Sequence, residues 1–112
     1  MSYKLTHLHR EIDINRVLDR VSKQKKEGVY KNQTNFLFIS LWDKWSKALV
    51  KKLESKYASD DAAKELYIVN SFDMPHSFTI FGVRRAPALV RIRQRKVVVI
   101  DRLPLVYSEL KV

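Results

Sequence analysis

The sequence predicts an α/β domain, a mixed central sheet with helices on both faces and a short C-terminal helix. Strand-length apolar runs alternate with segments of helical periodicity through the first two thirds of the chain, which implies strand–helix–strand crossovers. The pattern then closes on two adjacent strand-like runs, which adds a hairpin to the sheet. With 112 residues, 46% of them hydrophobic, the chain can build one core, so residues 1–112 are read as a single domain.

The elements follow in order. Tyr3 to Leu8 alternates weakly and reads as a short strand. Asp13 can cap the helix after it, where Ile14, Val17, Leu18 and Val21 fall at i, i+3, i+4 and i+7. That helix should end near Lys26, with Gly28 as its stop. Lys31 to Asn35 is a polar loop, and Phe36 to Leu41 is a run that suits a strand buried on both faces. A second helix is predicted from Asp43 to Tyr57. Trp45, Leu49, Leu53 and Tyr57 form its apolar row, and Lys44, Lys47, Lys51, Lys52 and Lys56 cover much of the rest.

Ser59, Asp60 and Asp61 break that pattern and cap a short turn through Ala62 and Ala63. Leu66 to Val69 is a further strand. Pro75 suits the first position of a short helix ending near Gly82. Pro87 opens the strand that begins at Ala88 rather than interrupting one. Gln94-Arg95 is the hairpin turn, Val97 to Ile100 the partner strand, and Leu103 to Leu110 a last helical piece with Pro104 in its first turn.

Composition excludes several classes of function. There is no cysteine, hence no disulfide framework and no thiolate metal site, which fits a reducing compartment. The N-terminus lacks the apolar core of a signal peptide, and no run approaches the ~20 apolar residues of a membrane span. A cytoplasmic location without membrane association is therefore expected. His7 and His9 would share a strand face, but His76 is remote and no acidic cluster joins them, so surface histidines are expected rather than a metal site. With Gly28 and Gly82 the only glycines, there is no glycine-rich phosphate loop, and no cofactor is expected. The charge is unusual. Lys and Arg total 22 against 12 Asp and Glu, a net +10. Such a field attracts acidic proteins, nucleic acid or anionic membrane, or serves solubility alone.

Two segments carry a family resemblance. Leu41-Trp42-Asp43-Lys44-Trp45-Ser46-Lys47-Ala48-Leu49 resembles the thioredoxin active-site stretch Phe-Trp-Ala-Glu-Trp-Cys-Gly-Pro-Cys, with both tryptophans at their spacing and Ser46 and Leu49 at the cysteines. Phe81 to Val90 resembles Tyr-Gly-Ile-Arg-Gly-Ile-Pro-Thr-Leu-Leu, with Pro87 at the family's cis-proline. The likeness spans roughly residues 34 to 102. It implies a thioredoxin-like fold that has lost the redox reaction, since a dithiol enzyme needs a thiolate to attack and a second thiol to resolve.

By the same resemblance, Trp42, Trp45, Ser46, Lys47, Arg84, Arg85, Ala86 and Pro87 form a partner-binding surface where the active site would be. The plainer reading is that Pro87 only sets the strand entry and Trp45 only covers the helix start. Ser40 replaces the family's buried acid, and Lys47-Ala48 replaces Gly-Pro. A serine nucleophile needs an adjacent base, and none is apparent, so no catalytic residue is assigned. A Ser46-dependent, transferase-like enzyme that takes a glutathione-type ligand is a remote alternative.

A basic stripe follows. Arg91, Arg93 and Arg95 are spaced by two, so on a strand they share a face, with Lys96 beyond them. Arg91 is expected to be exposed because the last helix is short. The stripe can track phosphates or pair with an acidic surface, or merely discourage edge aggregation. No aromatic residue lies between Arg84 and Arg102, which argues against a base-stacking platform. The function expected is a non-catalytic adaptor for a protein partner of acidic character. A non-specific nucleic-acid-binding accessory protein is the alternative. Size and charge suit a phage-encoded or accessory protein that docks on a larger machine.

Overall fold

The computed structural model describes residues 3–25, 34–57, 64–93 and 96–112. Strands β1 (Tyr3–Leu8), β2 (Thr34–Ile39), β3 (Lys64–Asn70), β4 (Ala88–Arg93) and β5 (Lys96–Ile100) alternate with helices α1 (Glu11–Lys25), α2 (Lys44–Lys56) and α3 (Pro75–Ile80), and α4 (Leu103–Leu110) closes the chain. The sheet order is β1-β3-β2-β4-β5. β3 pairs in parallel with β1 and β2, whereas β4 runs antiparallel to both β2 and β5. The mixed sheet follows from connection length: only two residues of sequence separate β4 from β5, while each parallel pair needs a crossover.

β2 is buried at all six positions, as its continuous apolar run predicts. Its side chains alternate between two cores. Leu37 and Ile39 join Leu49, Leu53, Tyr57, Leu66, Ile68, Val106 and Leu110 on the face covered by α2 and α4. Phe36 and Phe38 join Ile14, Val17, Tyr67 and Val69 on the face of α1 and α3. There Phe38 meets Phe78 edge-on at 4.9 Å and Phe81 at 5.7 Å, so aromatic contacts at and just after the six-residue α3 pack it on the sheet. On the opposite face the Tyr57 hydroxyl donates to the Leu110 carbonyl at 2.7 Å, which ties the end of α2 to the end of α4.

Several boundaries differ from expectation. The polar loop ending at Asn35 gives way to strand at Thr34. Thr34 and Asn35 are both buried, because they pair with Ile92 and Arg91 of β4 and so continue the ladder despite their polarity. Leu41 lies beyond β2 and is exposed, since the chain turns at Ser40, whose carbonyl accepts the Asp43 N–H at 3.1 Å. Asp13 sits inside the first turn of α1 rather than before it. Its carboxylate accepts the Arg10 N–H at 3.2 Å while its own N–H donates to the Arg10 carbonyl. The expected stop at Gly28, the turn through Ala62 and Ala63, the hairpin residues Gln94 and Arg95, and the side chain of Val21 lie outside the described residues.

Candidate partner-binding site

The site begins at the first turn of α2. Asp43 is the N-cap, with φ −95° and ψ 123°. Its carboxylate oxygen Oδ2 accepts both the Ser46 N–H, at 2.9 Å, and the Ser46 hydroxyl, at 3.0 Å. Ser46 Oγ in turn accepts the Ser40 N–H at 3.2 Å. Three polar groups at the helix start thus satisfy one another, and Ser46 is 0% exposed. This corrects the surface role expected for Ser46. Its hydroxyl is spent on capping and no substrate can reach it. Leu49 is fully buried too, within the core under α2. Both positions that the resemblance assigns to cysteines therefore point inward.

Trp45 points the other way and is 50% exposed, with the Lys44 ammonium 5.1 Å from its ring centroid. It lines a groove of about 420 Å³ together with Arg85, Ala86, Pro87, Arg102 and Pro104. The Ala86–Pro87 peptide bond is cis. The approach to it is set by Gly82, whose φ of +69° ends α3, with the Val83 N–H reaching back to the Phe78 carbonyl at 2.8 Å. Val83 then anchors in the core, leaving Arg84 and Arg85 exposed.

Trp42 is 81% exposed on the loop between β2 and α2. Phe72 stands exposed on the loop after β3, where the Ser71 N–H donates to the carbonyl of Ile39, the last residue of β2, at 2.9 Å. Trp42 and Phe72 are thus each solvent-facing on loops at the same end of the sheet.

The structure brings together Trp45, Arg85, Ala86 and Pro87, with Trp42 and Arg84 exposed on the adjoining loops. Lys47 is not among them. It lies on the opposite flank of α2, where it borders a second groove with His7, His9 and Lys51. Sequence reasoning missed Phe72 and the α4 side of the groove, Arg102 and Pro104. The latter were within reach: with the turn expected at Gln94-Arg95, Arg93 pairs with Lys96 and Leu89 with Ile100, and the same register continued brings Arg102 opposite Pro87.

The basic stripe is divided. Arg91 was expected to be exposed, but its side chain is 19% exposed and bonded at both ends. Nε donates to the Asn35 amide oxygen at 3.0 Å, and Nη1 donates to Glu109 Oε2 at 2.6 Å. The eight-residue α4 is long enough to place Glu109 over β4, so the guanidinium is held between sheet and helix. Arg93 ends β4 with its side chain outside the described ones, Arg95 is not described, and Lys96 is exposed on β5. His9 Nδ1 lies 3.4 Å from Asp73 Oδ2, and His76 sits on α3. Among the described residues, no group of three or more His, Cys, Asp or Glu can hold a metal ion, and no helix is long and apolar enough to cross a membrane.

Solved structures similar to this backbone include several thioredoxins. The chain superposes on Fasciola hepatica thioredoxin with a TM-score of 0.69 at 14% identity, covering 95% of this chain and 96% of that one. For a Nicotiana alata thioredoxin the TM-score is 0.65 at 15% identity, covering 99% and 93%. For an oxidised Arabidopsis thaliana thioredoxin it is 0.62 at 16%, covering 98% and 96%. No family model matches the sequence, and no curated protein matches it either. What the superposition and the strand order establish is the architecture: this chain has the thioredoxin-like α/β fold, built without a cysteine.

Proposed function

We propose that this domain is a non-catalytic, redox-inactive adaptor that holds an acidic partner protein in the groove between Trp45 and Pro87. The observation that carries the reading is the way the start of α2 divides its side chains. Ser46 and Leu49 are buried, while Trp45 remains half exposed beside Arg85, Ala86 and Pro87. A rigid aromatic flanked by cations is what an interface anchor needs, because it supplies large contact area at low entropy cost. Arg84, Arg85, Arg102 and Lys44 outnumber Asp101 around it, and Asp43 is occupied with capping, so the rim favours acidic residues. The absence of thiols leaves non-covalent binding as the use of this surface, in keeping with a cytoplasmic accessory role.

The alternative, tracking of nucleic-acid phosphates by the Arg stripe, has less support because Arg91 is committed to Asn35 and Glu109.

The test is an affinity capture from nuclease-treated and untreated lysate with wild type, Trp45→Ala and Arg84→Glu/Arg85→Glu. A stoichiometric protein that survives nuclease and is lost with both variants is the expected result. Material that disappears with nuclease would replace the adaptor reading with the nucleic-acid one.

A further inference from the structure

The second groove, on the far flank of α2, has no part in the proposed adaptor surface. It encloses about 320 Å³ at the carboxyl ends of the three parallel strands, bounded by the ends of β1, β2 and β3 and by Lys47, Val50, Lys51 and Glu54 of α2. Ligands of open α/β sheets favour this end, and the volume sits at the lower edge of the usual small-molecule range of about 300–1,000 Å³. The groove exists because α2 packs over β2 and β3 and leaves the same face of β1 bare. Leu5 there is only partly buried, and His7 is exposed. Its floor is apolar, with Ile39, Val50 and Ile68.

The charged groups around that floor are not all paired with one another. Asp73 is paired with His9 at 3.4 Å. Lys47 and Lys51, one turn apart on α2, border the groove, whose lining also holds the carboxylates Glu54 and Asp73. Among the described residues neither lysine has a salt-bridge partner. Like charges at i and i+4 disfavour a helix, and Lys47, in the first turn, opposes the helix dipole as well. An anion held between the two ammonium groups removes both penalties.

We propose that this groove binds a small organic anion, with an apolar body on Ile39, Val50 and Ile68 and an acidic head, carboxylate or phosphate, between Lys47 and Lys51. The head meets the ammonium groups as charge-assisted hydrogen bonds, and His7 at the rim adds a further polar contact. The polar groups orient the ligand, while the apolar floor supplies most of the driving force.

The probe is 8-anilinonaphthalene-1-sulfonate, an aromatic body with one anionic group, titrated into the full chain and followed by fluorescence and by amide NMR shifts. N-phenyl-1-naphthylamine serves as its uncharged counterpart. The expected result is saturable one-to-one binding, with shifts confined to the ends of β1, β2 and β3 and residues 47–54 of α2. Affinity should fall at least tenfold in Lys47→Glu/Lys51→Glu, and by much less in Lys52→Glu/Lys56→Glu, which changes net charge equally elsewhere on the same helix. The uncharged probe should bind more weakly and respond to neither variant. The proposal is overturned by shifts outside the groove, by non-saturable binding, or by a loss no larger in the Lys47/Lys51 variant than in the Lys52/Lys56 variant. Unchanged circular dichroism and melting of the variants separate lost binding from lost fold.

Discussion

At one end of β4, Arg84 and Arg85 stand in solvent beside a half-exposed tryptophan. Further along the same strand Arg91 is enclosed, with one nitrogen on a buried asparagine and another on a glutamate from the last helix. As residue types the three are identical, and each is a candidate contact for an anionic partner. They differ in what the fold places opposite them. Arg84 and Arg85 follow Gly82 and Val83 in a loop that runs outward before Pro87. Arg91 lies in a central strand, flanked by β2 and β5 and roofed by α4, so its charge has to be answered from within the molecule. A cluster of cations is a binding surface only where the fold leaves it unanswered.

That contrast is open to direct attack. The largest effect is expected from Arg91→Ala, which leaves the buried Asn35 amide without its donor and Glu109 without its partner. Denaturant unfolding should show a loss of about 2–3 kcal/mol. A loss below ~0.5 kcal/mol would return Arg91 to the class of surface charges. Trp45→Ala, at the opposite end, should weaken partner binding by about 2 kcal/mol, roughly thirtyfold, while the melting temperature moves little. A variant equally weakened in stability and binding would make Trp45 a structural cover of the helix start.

Asp43→Ala removes the acceptor for both Ser46 donors, and a cost of about 1–2 kcal/mol in thermal or chemical unfolding is expected from the lost cap. Glu109→Gln keeps the shape but removes the charge at a site that is 42% exposed, and solvent screening limits its cost to about 0.5–1 kcal/mol. The smallest change should be in Arg84→Glu/Arg85→Glu, whose stability is expected within ~0.5 kcal/mol of wild type even where partner association slows severalfold.

Much of the architecture is legible in the amino-acid sequence, because it rests on periodicity. The apolar run from Phe36, the i+4 row of Leu49, Leu53 and Tyr57, and the short C-terminal helix from Leu103 to Leu110 all lie where the pattern places them. The candidate site is legible only in part. The spacing of Trp42 and Trp45 and the approach to Pro87 can be matched to a family, but matching a position does not tell which way a side chain points. Ser46 shows the difference. A serine three residues after an aspartate is a capping partner by local geometry, and that role removes it from the surface. Thr34 and Asn35 show it again, since polarity marks them as loop while the ladder with β4 makes them strand.

By itself, then, the sequence determined the alternation of elements, the absence of thiol chemistry and the excess of positive charge, because each depends on residue type and local order alone. Only the tertiary structure decided which of those charges remain available. The β2–β4 register brings Asn35 to Arg91, and α4 supplies Glu109 from eighteen residues further along the chain. α2 turns Trp45 toward Pro87 and Lys47 away from it. Those are contacts between segments distant in the chain, and no composition or spacing within one segment encodes them.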